Sequence, residues 1–157
     1  MFIIPEPESS TKMKTSTRRE NFQESARTEA VFIPNIGSEE ELAHAAYLAS
    51  LADPTQNGKL LAQAAIKKIG TIELPQQFDL IAASPISDLS GINLKGAKIR
   101  EGKLTSIEKW VRKQGGHIHS QVHGLVKQLI ARGDSVVVIA SERIVLGVVI
   151  LKVAGSV

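Results

Sequence analysis

From Ser38 onward the apolar positions follow helical and strand rhythms in turn. Ser38 with Glu39, Glu40 and Glu41 forms a capping-box pattern, in which the hydroxyl caps a helix and Glu41 reaches back to the serine amide. Leu42, Ala45, Ala46 and Ala49 then recur at helical spacing. ADPTQNG ends this helix, because Pro54, Asn57 and Gly58 are turn residues. A second helix over about residues 58–69 places Leu61, Ala64, Ala65 and Ile69 on one face, and Gly70 stops it. The many alanines predict a close helical hairpin.

Strand patterns surround this hairpin. AVFIP (Ala30–Pro34) reads as a short strand closed by proline, and FDLIAAS (Phe78–Ser84) as another. DLSGINL and AKIREG read as two strands turning at Lys95-Gly96. LTSIEKWVRKQGG is helical, with Leu104, Ile107 and Val111 inward and Gly115-Gly116 as the stop. HSQVHGLVKQLIARG is a second helix, with Val122, Leu125, Val126, Leu129 and Ile130 inward. SVVVIA and RIVLGVVILK are rich in β-branched residues and predict a central antiparallel pair joined at Ser141-Glu142. Helices grouped in pairs between antiparallel strands predict an α+β fold, an antiparallel sheet flanked by helix pairs.

The first 28 residues carry Ser, Thr and both charge signs without sustained periodicity. They read as a flexible N-terminal tail, with a frayed helix over TRRENFQESARTEA. The division is then a tail at 1–28, a domain at 29–153 and a short C-terminal end at 154–157.

Composition narrows the classes. Hydrophobic residues make up 43% and charged residues 22%, as in ordinary soluble domains. A net charge of +3, with no basic stripe interleaved with aromatics, argues against nucleic-acid binding. The absence of cysteine removes disulfides and thiolate chemistry, and fits a cytoplasmic location. The longest apolar run, Ile144–Leu151, is far shorter than the ~20 residues of a membrane helix, so no membrane insertion is expected.

Chemistry-bearing motifs are few. His117, His119 and His123 invite a zinc reading, yet His117 precedes the helix that carries the other two, and no HExxH pattern exists. Solvated loop and first-turn histidines are the plainer reading. NGKLL lacks the upstream glycine of a P-loop and follows a helix rather than a strand. No GxSxG or other nucleophile-and-base arrangement stands out, so no enzyme is expected.

One succession is more specific: SLADPTQNGKLLA, SGINLKGAKIREG, IEKWVRKQGGHI, then IARGDSVVVIASERIVLGVVILK. Over residues 30 to 152 it resembles the nucleotide-binding (N) domain of the B subunit of Kdp-type potassium-transporting P-type ATPases. That family runs S-L-A-D-x-T-P-E-G, then R-M-S-G, I-R-K-G, GGH and L-G-V-I-x-L-K-D in the same order. The resemblance implies an antiparallel sheet flanked by helix pairs. The family's phosphorylated aspartate lies in D-K-T-G-T, ahead of this domain. Here the first aspartate is Asp53, and neither D-K-T-G-T nor G-D-G-x-N-D occurs. The chain is thus expected to be a free-standing, non-catalytic N-type domain.

The resemblance also places a nucleotide pocket. Asp53, Thr55, Gly58, Ser90, Gly91 and Gly102 keep the family's residues. Asn57, Ala83, Asp88 and Glu101 stand where the family has glutamate, a stacking phenylalanine, arginine and lysine. Loss of a base-on-aromatic stack removes roughly 1–3 kcal/mol. An anion for a cation turns attraction into repulsion, about 4 kcal/mol for a pair at 4 Å with an effective dielectric constant near 20. The expectation is an accessory or regulatory protein with weak or no ATP binding, its natural partners being Kdp potassium-pump components. The alternative is a modified pocket that still takes ATP or ADP, with Lys95, Lys98 or Lys103 supplying the cation. No cofactor is required by the residues, and ATP is the one the resemblance brings in.

Overall fold

The computed structural model describes residues 28–153. The expected tail and its frayed helix lie outside the described residues, except that Thr28, Glu29 and Ala30 belong to the first strand. In chain order the elements are β1 (Thr28–Pro34), α1 (Glu39–Ser50), α2 (Gln56–Ile69), β2 (Phe78–Ile81), β3 (Ser90–Leu94), β4 (Ala97–Gly102), α3 (Leu104–Lys113), α4 (Ser120–Ala131), β5 (Ser135–Ser141) and β6 (Ile144–Val153). The six strands form one sheet in the order β1-β6-β5-β4-β3-β2. Every neighbouring pair is antiparallel.

Alternation along the strands divides the core in two. Ile92, Ile99, Val137, Ile139, Val149 and Leu151 face α1 and α2. Val138, Ala140, Val148 and Ile150 face α3 and α4. The period-2 geometry of a strand thus builds three layers: a helix pair, the sheet, and a second helix pair. β5 and β4 are the central strands, so the β5–β6 pair expected at the centre is shifted one place towards the β1 edge; β5 and β6 are both interior strands buried on both faces, which accounts for their Val/Ile runs.

The capping box at Ser38 is present. The Glu41 amide donates to Ser38 Oγ at 3.0 Å, and the Ser38 amide donates to Glu41 Oε1 at 2.8 Å. Ala43, Ala46, Ala49 and Ala65 are fully buried, as a close α1–α2 hairpin requires.

Four details differ from the sequence reading. α2 starts at Gln56, because Thr55 is its cap: the Thr55 hydroxyl accepts the Gly58 amide at 3.2 Å. β2 stops at Ile81, so the AAS of FDLIAAS is exposed loop on the way to β3. The β5–β6 turn falls one residue later, at Glu142-Arg143, with Glu142 in the left-handed region at φ 53°. Ile130 is 56% exposed rather than inward, since Val122, Val126 and Leu129 already fill the α4 stripe.

A candidate pocket at the end of β4

Of the positions singled out in the sequence, Asp53, Thr55 and Gly58 in the α1–α2 turn meet Ser90 and Glu101 at the end of β4. Asp53 is held by Thr55, two residues further along. The Thr55 hydroxyl donates to Asp53 Oδ1 at 2.6 Å, and the Thr55 amide donates to the same oxygen at 3.0 Å. Gly58 is required by this turn, for a Cβ there would strike the Asp53 backbone and side chain. Ser90 pairs directly with Glu101 across β3 and β4, so their side chains rise together on the α1–α2 face. Both are nearly enclosed, at 3% and 6% exposure. The Ser90 hydroxyl has no hydrogen-bond partner among the described residues.

Glu101 departs from the anion expected of it. Burial first, then the Asp53 charge and a hydrogen bond with Asp53, push its carboxyl up to about 8. An enclosed carboxyl takes a proton rather than carry an unpaired charge. At neutral pH Glu101 is therefore mostly a neutral acid donating to Asp53, and it ties the α1–α2 turn to the sheet. The expected charge reversal is in effect a charge neutralisation.

Asp88 does not join this pair: its carboxylate lies 3.4 Å from Lys103 Nζ. A hydrogen bond from Ser106, ahead of the contribution of Lys103, holds it below the usual carboxylate range. Asp88 thus belongs to the start of α3. Gly102 faces the same way, since a Cβ there would strike Leu89. Gly91 has its own packing reason, because a Cβ would meet the Ile99 carbonyl and the Arg100 side chain. Asn57 is exposed in the first turn of α2, and Ala83 is exposed in the loop after β2. Of the cations that the alternative reading needs, Lys103 is paired with Asp88 and Lys95 sits in the β3–β4 turn, at the other end of β4. Lys98 lies on the opposite face of β4 from Glu101, by strand alternation.

The histidines divide. His123 Nε2 lies 3.2 Å from Glu108 Oε2, joining α4 to α3, while His117 and His119 meet edge to face with ring centroids 5.1 Å apart. Among the described residues no three His, Asp or Glu side chains converge as a metal set. His117 and His119 instead line an open cleft of about 870 Å³ with Asn35, Arg143 and Ile144, beside the β5–β6 turn. That cleft lies at the other end of β4 from Glu101.

Relatives place this architecture. No family model matches the chain. It is 35% identical over 127 residues, 80% of its length, to the potassium-transporting ATPase ATP-binding subunit of Xanthomonas campestris pv. campestris. It is 37% identical over 136 residues to the subunit of the same name from Streptomyces coelicolor. The crystallised N-domain of HMA8, a copper-transporting P-type ATPase, superposes with a TM-score of 0.57 over 76% of this chain and 94% of that domain, at 13% identity. The chain is a homologue of the P-type ATPase N domain. A zinc-transporting PIB-type ATPase contains the same fold, with a TM-score of 0.60 over 82% of this chain and 19% of that one, at 17% identity. The N-domain homologue spans 19% of the length of the two ATP-binding subunits it matches. Among its described residues no helix is long and apolar enough to cross a membrane.

Two features escaped the sequence reading. The Asp53–Glu101 bond needs the α1–α2 turn placed over β4, a contact between residues 48 apart that no local pattern announces. Arg100 was visible only as a letter of IREG, although strand alternation already sets it on the face opposite Glu101.

Proposed function

We propose that this N-domain homologue is a non-catalytic, cytoplasmic accessory protein of the potassium-pump machinery, acting by protein contact and binding ATP weakly or not at all. The observation that carries the reading is the buried Glu101 carboxyl bonded to Asp53. It occupies the place where the resemblance puts a lysine, and an internal hydrogen bond fills a position from which a polyphosphate would need a cation. The exposed Ala83 supports the same reading, since a methyl group offers no stacking face. The retained turn at Asp53, Thr55 and Gly58 is accounted for by its own hydrogen bonds and packing.

The test is a Mg-ATP titration followed by amide NMR. Signals of Ser90, Gly91 and Gly102 stay unmoved at millimolar nucleotide, whereas Glu101→Lys restores concentration-dependent shifts there. Saturating shifts in the unmodified protein establish the alternative, a modified pocket that keeps ATP or ADP. That alternative has one observation in its favour, the unpartnered Ser90 hydroxyl. The accessory role is tested separately, by co-purification of pump components from native lysate at low and high potassium. Recovery of none at either level overturns it.

A further inference from the structure

On the face of β4 opposite Glu101 lies a buried cation with no counter-ion among the described residues. Arg100 is 8% exposed. Its Nη1 donates to the carbonyls of Ile92 at 3.3 Å and Ile99 at 3.0 Å. Nε and Nη2 have no acceptor, and among the described residues no carboxylate pairs with the guanidinium. These two nitrogens still touch solvent, unlike Asn93 Oδ1, which is fully enclosed without a partner among the described residues. Buried charges in proteins are ordinarily paired, and Arg100 is not. Burial alone lowers its proton affinity, as expected where no anion offsets desolvation.

The surroundings are built around this side chain. The Trp110 ring centre lies 5.1 Å from Arg100 Cζ, so the indole covers one face of the guanidinium. Gly91, the cross-strand partner of Arg100, leaves the space its aliphatic stem crosses. Asn93 is two residues from Gly91 on the same sheet face, and its cross-strand partner Lys98 adds a second positive charge. Asp79, paired with Asn93 from β2, is the acidic group among these strand residues on that face.

We propose that Arg100 and Trp110 form a second binding site on this N-domain homologue, for a phosphate-class oxyanion. The guanidinium edge formed by Nε and Nη2 matches two oxygens of such an anion, the fork geometry arginine uses for phosphates. A simple carboxylate meets the same fork with one negative charge, where hydrogen phosphate carries up to two, and is held more weakly. The site is independent of the ATP question, because it uses the other face of β4.

Trp110 is the single tryptophan and reports directly on this site. Titrating the protein with inorganic phosphate at constant ionic strength gives a saturable change in its emission. Acetate gives a weaker one, and chloride none. Arg100→Lys keeps the charge and removes the fork, and phosphate affinity falls about tenfold or more. Trp110→Phe, followed by amide NMR at Gly91 and Asn93, still titrates, which separates binding from a spectroscopic effect. A response that chloride reproduces, or an Arg100→Lys variant that binds phosphate as tightly as the parent, overturns the proposal.

Discussion

Glu101 shows how a single enclosed carboxyl sets a pH dependence. Its folded-state pKa is raised from 4.5 to about 8. The folded chain therefore holds a proton that the unfolded chain releases at lower pH. The stabilisation is complete below the unfolded value and is lost as pH rises through the folded one. Stability of the parent should decline between about pH 4.5 and pH 8, with a slope from this group of at most about 1.4 kcal/mol per pH unit. Glu101→Gln keeps the shape and removes the titration. Urea midpoints of parent and variant should agree near pH 4, below the unfolded pKa, with the variant the more stable at pH 9. Parallel curves across that range would mean that Glu101 is already ionised in the folded protein. Gly91 is tested at the same scale. Gly91→Ala should cost roughly 1–3 kcal/mol in urea unfolding, because the new methyl meets the Ile99 carbonyl and the Arg100 stem.

At the scale of elements, the caps at either end of the α1–α2 hairpin make unequal contributions. Ser38 closes an exposed capping box, so Ser38→Ala should cost about 1 kcal/mol and alter nothing else. Thr55 caps α2 and also anchors Asp53, the partner of Glu101. Thr55→Ala should cost at least as much and also displace the pH midpoint of the Glu101 titration. An unmoved midpoint would separate the cap from the pocket. The same elements show what was legible in the chain. Both helix pairs, the β3–β4 hairpin and the antiparallel β5–β6 pair followed from period and turn residues, because those signals are local, whereas the place of that pair in the sheet, off centre, did not. The end of β2 was not legible, since AAS is equally compatible with strand and loop. The start of α2 was missed because a threonine cap was outweighed by the proline, asparagine and glycine around it. The pocket residues were legible in identity but not in state. Asp88 and Glu101 look alike as letters, yet one lies beside Lys103 at the surface and the other is enclosed beside Asp53.

Across the whole molecule, two hydrophobic cores lie on opposite faces of one sheet. One packs Leu42 and Leu61 against Ile92, Ile139 and Val149, and the other packs Ile107 and Val126 against Val138 and Val148. Neither helix pair touches the other core, but β5 and β6 supply side chains to both. Loosening one core therefore frees strands that the second core needs, and the domain should unfold as one unit. The chain carries a reporter in each outer layer, its single tyrosine, Tyr47, in α1 and its single tryptophan, Trp110, in α3. Leu61→Ala and Ile107→Ala each remove a fully buried side chain and should each cost about 2–5 kcal/mol. In both variants Tyr47 absorbance and Trp110 emission should change at one common urea midpoint, although each substitution lies in a different layer. A midpoint that moves only for the reporter in the substituted layer would show that the sheet does not couple the two cores. The Asp53–Glu101 contact and the phosphate site at Arg100 would then sit on separately stable halves. A common midpoint means that a ligand at Arg100, on the α3–α4 face, also stabilises the Asp53–Glu101 contact on the opposite face.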